Sequence, residues 1–189
     1  MEKLLVAFGF ILHQNNYNID RSMNNGISHI EFDKITNTVN MKFCEDIYTL
    51  YNWKNGLKKE FQEKDEILHC GFYLSIDDAV NIYKQWSLEA KLWNKNYFPF
   101  FMSGGGEFLL INNDNKSNDY LKIMIYAPLN LKSNKLMVIY ENLPTMFETI
   151  VECYNQKAYF FIDNELEIDF DKLYEIANKK NPTAIYWKE

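Results

Sequence analysis

Cysteine and histidine are scarce, with three of each in 189 residues. Cys44, Cys70 and Cys153 are odd in number and far apart, which leaves neither a disulfide framework nor a CxxC metal knuckle and reads as buried thiols in a reducing compartment. His13, His29 and His69 are scattered as well. Only His69 adjoins a cysteine, and neighbours on a strand point to opposite faces, so the pair predicts a core thiol beside a surface imidazole, not a dyad or a shared metal. Clustered positive charge is also lacking. Twenty basic residues face 26 acidic ones, a net charge of −6, which argues against a phosphate-binding surface and fits a basic partner. The longest apolar run, Leu4 to Leu12, imitates a signal peptide but is preceded by Glu2 and followed by HQNNYNID with no cleavage site, and it is too short to cross a bilayer. There is no Ser nucleophile elbow, HExxH, Walker loop or paired-His motif. These absences predict a cytoplasmic protein with no catalytic constellation, metal, cofactor, nucleic-acid partner or membrane partner.

What is abundant is apolar and aromatic. Fourteen Phe and thirteen Tyr within a 47% apolar composition are enough to bury a core without staples, so residues 1–189 read as one domain. The centre of the chain is FPFFMSGGGEFLLINND, Phe98 to Asp114, where two apolar runs meet a Gly cluster with nothing helical between them. The spacing predicts an antiparallel hairpin, Phe98–Met102 and Phe108–Ile111, joined by a turn over Ser103, Gly104, Gly105 and Gly106. A phosphate-cradling loop would need a helix after the glycines, whereas FLLI is strand-like.

Helices are expected at 2–14, apolar almost all round; at 27–38, with Ser28 and Glu31 at capping-box spacing, Ile27, Ile30 and Ile35 inward and Phe32 as a further candidate for that face; and at 43–53, ended by Asn55-Gly56. Asn15 to Gly26 reads as a loop, 57–65 as a charged connector and 67–74 as a strand. Ser75, Asp77 and Asp78 start a helix with Ala79, Val80, Tyr83, Trp86, Ala90 and Trp93 inward, the two indoles serving as core anchors. After the hairpin come a polar turn at 112–119, strands at 120–127 and 135–140, and a turn at 128–134 between them. This meander spacing implies antiparallel order. Pro144 and a box Thr145…Glu148 open a helix, Tyr159–Ile162 is a short edge strand, and Asp169 begins a last helix with Phe170, Leu173, Tyr174 and Ala177 inward, ended by Asn181-Pro182.

Two places invite a site. The acidic run Asp163, Glu165, Glu167, Asp169, Asp171 resembles the start of a calcium loop, but Ile168 stands where the sharp turn wants Gly, which excludes an EF-hand. It reads either as a solvated strand or helix entrance, or as a docking edge for a basic protein. Glu107, just after the glycines, would serve as a general base only with a partner and a pocket. Tyr51 and Trp53, near the Asn-Gly pair, are candidate aromatic anchors for an interface, with Glu107 and Asp114 as further candidate contacts.

Several segments together resemble the SUKH superfamily of Smi/Knr-like proteins: LYNWKNGL (50–57), GFYLSIDDAVNIY (71–83), FPFFMSGGGEFLLIN, TMFETIVECYNQKAYF (145–160) and NPTAIYW (181–187). The resemblance covers nearly the whole chain and rests on the order of the segments. It implies an α+β domain with a curved, mainly antiparallel sheet flanked by helices. It further implies an immunity protein that binds a cognate polymorphic toxin, often a nuclease, or, as in fungal relatives, a regulatory or scaffolding protein. The family's Asn-Gly pair corresponds to Asn55 and Gly56, and its glycine-plus-acid segment to Gly105, Gly106 and Glu107, where the family commonly carries Asp.

Overall fold

A computed structural model describes residues 1–62, 67–69, 71–127, 136–163 and 165–188. The expected turn at 128–134, the end of the 57–65 connector, and Cys70 and Lys135 lie outside them. The architecture is α+β. Five strands form one antiparallel meander, each pairing with the next in chain order: β3 (Phe72–Tyr73), β4 (Tyr97–Met102), β5 (Phe108–Asn112), β6 (Ile123–Tyr126) and β7 (Met137–Tyr140). Two small antiparallel pairs stand apart, β1 (Met23–Asn25) with β2 (Lys54–Leu57), and β8 (Tyr159–Ile162) with β9 (Glu165–Ile168).

The predicted central hairpin is β4–β5, with Phe98 opposite Ile111 and Met102 opposite Phe108. Every position of β5 is buried, so the strand is covered on both faces, which is why its sequence is a continuous apolar run and not an alternation. Pro99 is tolerated inside β4 because β3 ends first: Leu74 N–H donates to Phe100 O, and Ser75 already caps a helix. At the far edge, the Trp187 indole N–H donates to Ile139 O at 2.5 Å, so the 3-10 turn Ile185–Lys188 satisfies part of the exposed side of β7.

The helices are α1 (Glu2–Gln14), α2 (Ile19–Ser22), α3 (His29–Thr36), α4 (Glu45–Trp53), α5 (Ile76–Ile82), α6 (Leu143–Asn155) and α7 (Phe170–Lys180). The α1 helix buries Leu5, Phe8 and Leu12 against α4 and α6, with Phe8 edge-on to Phe147 at 5.6 Å, while Val6 and Phe10 face outward. The Asn-rich stretch expected to be a loop contains α2 and β1, because Asn18 caps a short helix by accepting from Arg21 N–H and Asn24 anchors β1 to β2. The Ser28–Glu31 capping box is formed and starts α3 as predicted.

Three inward faces differ from expectation. On α3, Ile30 is 82% exposed, and of the expected set it is the further candidate Phe32 that fills the core, wedged among Phe43, Tyr48 and Tyr51. After Ile82 the α5 helix widens into a π-helical segment, Tyr83–Glu89. The wider turn keeps Tyr83 and Ser87 inward and leaves Trp86 half-buried and Ala90 exposed. Trp86 and Trp93 still act as core anchors, stacked at 14° and both resting on Phe108. On α7 the buried residues are Leu173, Ile176 and Ala177, and Phe170 and Tyr174 turn outward. Helix α6 is capped by Asn142, whose side chain accepts from Thr145 N–H, so the Thr145…Glu148 box is not formed. Strand β6 is shorter than expected because Leu121, at φ +64°, closes the preceding turn by donating to Asn112 O.

Candidate functional site

The Asn-Gly pair does not end a helix. Helix α4 stops at Trp53 and the pair lies within β2, where Asn55 Oδ1 accepts the Ile76 N–H at 2.8 Å and so caps α5 across the fold. Gly56 holds φ +73°, and a Cβ there would stand 2.2 Å from Ser75 N, so glycine is required by backbone contact as well as by conformation. Tyr51, expected at an interface, is fully buried between Phe32 and Tyr73. Its packing role excludes it from surface contact. Trp53 is half-buried against Phe8 and lines a shallow groove with Gly9, His13 and Ile19.

The glycine turn is a hairpin turn. Ser103 N–H donates to Glu107 O and Gly106 N–H donates to Ser103 O, and only Gly106 has positive φ, +81°. The chain then enters β5, so no helix follows the glycines. Glu107 is half-buried and bonded to Ser103: its N–H donates to Ser103 Oγ, which in turn donates to its carboxylate. The cavity beside it, shared with His69 and Tyr186, is about 20 Å³, room for one water. Asp114 sits at the opposite end of β5 and organises a turn, donating its N–H to Asn112 Oδ1 and accepting from Lys116 N–H.

His69 is not the predicted surface imidazole. It is half-buried, its Nδ1 is hydrogen-bonded to the Tyr159 hydroxyl, and its ring meets Trp187 edge-on at 5.4 Å. Desolvation lowers its pKa to about 4, which keeps it neutral.

The acidic run forms an outward face. On β9, Glu165 and Glu167 are exposed and alternate with half-buried Leu166 and Ile168. Asp163 turns the hairpin with φ +51°. Asp169 caps α7 by accepting from Lys172 N–H; its hydrogen bonds and ion pair with Lys172 hold its carboxyl below the usual range. Immediately beyond, Phe170 (58% exposed) and Tyr174 (38%) share one flank of α7, four residues apart, and Asp171 and Glu175 occupy the next flank. This aromatic pair was missed from sequence. The signal was present in the Leu173, Ile176, Ala177 spacing, which supplies a core stripe without Phe170 or Tyr174. The structure thus groups Asp163, Glu165 and Glu167 on one hairpin and separates them in the fold from Tyr51, Trp53, Glu107 and Asp114.

A groove of about 560 Å³ runs between Lys59–Gln62, the Phe72–Leu74 edge and α5, with Asp78 tied to Ser75 and Gln62 on its wall. Among the described residues no three His, Cys, Asp or Glu side chains gather to hold a metal ion, and no helix is long and apolar enough to cross a membrane. In comparisons with known proteins, no family model matches the chain and no curated protein matches it.

Proposed function

We propose that this chain is a protein-binding module of the SUKH immunity type, which neutralises a cognate toxin with a basic, phosphate-binding surface by direct contact. The observation that carries this reading is the outward pair Phe170 and Tyr174, bordered by Asp171 and Glu175 and next in the chain to the exposed Glu165 and Glu167, in a protein of net charge −6. Aromatic side chains supply desolvated anchors at an interface, and surrounding carboxylates steer and orient a cationic partner. A nuclease surface is such a partner, because it must carry Lys and Arg to hold its phosphate substrate. The reading assigns the chain no catalytic step. The SUKH assignment rests on the order of sequence segments and on the α+β meander.

The test is co-expression with the protein encoded next to it, followed by capture of the tagged chain and a growth-rescue assay. A stoichiometric complex that weakens with salt, rescues cells, and is lost in Glu165→Lys/Glu167→Lys and in Phe170→Ala/Tyr174→Ala supports the proposal. Failure to retain that protein at low salt, together with no rescue, overturns it. A complex without rescue moves the chain to the regulatory members of the same group.

A further inference from the structure

Arg21 is the only arginine among the twenty basic residues of the chain. It lies on α2, with its guanidinium 5.6 Å from the centre of the Phe61 ring. Among the described residues that guanidinium makes no hydrogen bond and no ion pair, although the chain carries 26 carboxylate side chains. It opens onto a groove of about 260 Å³ whose described lining contains no Asp or Glu. Phe61 and Phe161 supply aromatic walls, the latter stacked on Tyr17 at 28°. Asn16 and Asn18 line the same groove, and their side-chain NH₂ groups donate to nothing among the described residues. The nearby Lys58 ammonium is already committed to the carbonyls of Asp20 and Arg21.

We propose that this groove binds a small planar carboxylate, with the carboxylate on the Arg21 fork, the ring against the aromatic walls, and polar substituents read by the two Asn amides. The argument is one of matching. A guanidinium offers parallel N–H donors that fit both oxygens of a carboxylate, and stacking on an aromatic ring pre-organises it while leaving its edge open. A phosphate dianion calls for more positive charge than one uncommitted cation, and no described helix of eight or more residues presents its N-terminus here. The volume suits a single ring with a few substituents, somewhat below the usual range of drug-sized pockets. The inference uses none of the residues of the α7 face, so the two proposals stand or fall separately.

The experiment is titration of the intact chain, followed by backbone amide NMR, with four probes: benzoate, its neutral isostere benzamide, acetate and inorganic phosphate. Saturable benzoate shifts at Arg21 and the Asn15–Asn18 segment are expected, with benzamide and acetate each weaker by about tenfold or more. Arg21→Lys keeps the charge and loses the fork, and should weaken benzoate about tenfold. Phe61→Leu should weaken benzoate while leaving acetate unchanged. Arg21 is exposed, so its variants are expected to fold, which an unchanged amide spectrum elsewhere would verify. Benzamide binding as tightly as benzoate, benzoate affinity unaffected in Arg21→Lys, phosphate outcompeting benzoate, or no saturation would each overturn the assignment.

Discussion

The side chain of Asn55 caps a helix that begins twenty-one residues later: its Oδ1 accepts the Ile76 N–H at 2.8 Å, while its own carbonyl accepts from the Asn24 amide at 3.0 Å. One residue therefore joins β1, β2 and α5. Asn55→Ala should cost about 1–2 kcal/mol, the usual loss for a cap, and Asn55→Asp should recover most of it because the acceptor is kept at a helix N-terminus. Gly56→Ala should cost more than Asn55→Ala, since the added Cβ meets backbone at 2.2 Å and the residue sits at φ +73°. Urea unfolding of the three variants checks the ranking. A Gly56→Ala protein as stable as wild type would contradict it.

The glycine turn makes a sharper prediction, because its three glycines are not equivalent. A Cβ at Gly104 meets no atom within 4 Å and one at Gly105 meets only Ser103 Oγ at 3.5 Å, while Gly106 alone holds φ +81°. Gly104→Ala and Gly105→Ala should be neutral or stabilising by up to about 1 kcal/mol, through lower entropy of the unfolded chain. Gly106→Ala should destabilise by about 1 kcal/mol, with Gly106→Asn milder. Equal losses at all three positions, measured by thermal unfolding, would mean that the turn demands glycine for another reason, such as close approach of a ligand.

These residues show how far the sequence can be read. The α+β class, the meander order, the β4–β5 hairpin and the Ser28, Ser75 and Asp169 caps are local signals, fixed by turn residues and side chains that bond within four positions. Asn55-Gly56 illustrates the limit. A helix stop and a strand corner draw on the same residue types, and the choice between them is made by Leu74–Ser75 arriving from a distant segment. Helix faces failed where apolar residues outnumber the buried positions: Ile30, Phe170 and Tyr174 fit an amphipathic stripe by type, but the buried positions belong to Phe32 and Leu173, which the pattern also offers, and to Ile176, which it does not. Tyr51 was misplaced for the converse reason, since nothing local distinguishes a buried tyrosine from an interface anchor. His69 was placed at the surface by strand alternation, whereas it lies in a turn outside β3.

His69 gives the pH dependence. Unfolded, its imidazole titrates near 6.5; folded, near 4, because burial beside Tyr159 and Trp187 disfavours the charged form. Above about pH 6.5 the ring is neutral in both states and its contribution is fully present. Between 6.5 and 4 the unfolded chain binds a proton that the folded chain refuses, so stability falls with falling pH, by at most about 3 kcal/mol from this group, and the loss levels off below 4. Carboxylates add their own acid dependence at the low end of this window. The comparison of wild type with His69→Gln in urea unfolding at pH 7, 6 and 5 isolates the imidazole: the gap between the two proteins should narrow on acidification. A gap that stays constant would mean that the folded protein takes up the proton as readily as the unfolded chain, and that burial does not hold the imidazole neutral.

The last prediction concerns Asn181, which the sequence marks only as a helix stop before Pro182. The residue is fully buried and its amide is spent on three elements. Its NH₂ donates to Thr149 Oγ1 on α6 at 3.0 Å and to Ala177 O on α7 at 3.0 Å, and its Oδ1 accepts the N–H of Glu141, just past β7, at 3.1 Å. Thr149 passes its own hydroxyl proton to Thr145 O at 2.7 Å, so it can only accept from Asn181. Asn181→Ala leaves the Glu141 N–H without its partner and strips the donor from Thr149, and should cost about 2–4 kcal/mol. Asn181→Asp keeps the Glu141 bond but loses both donors, and sets a carboxylate against two oxygen acceptors. It should therefore be at least as damaging as alanine near neutral pH and recover as the carboxyl protonates in acid. Chemical unfolding of both variants at pH 7 and pH 4.5 separates the cases. An Asn181→Asp protein more stable than Asn181→Ala at pH 7 would mean that the Glu141 bond alone matters, and that the α6–α7 link through Thr149 contributes little.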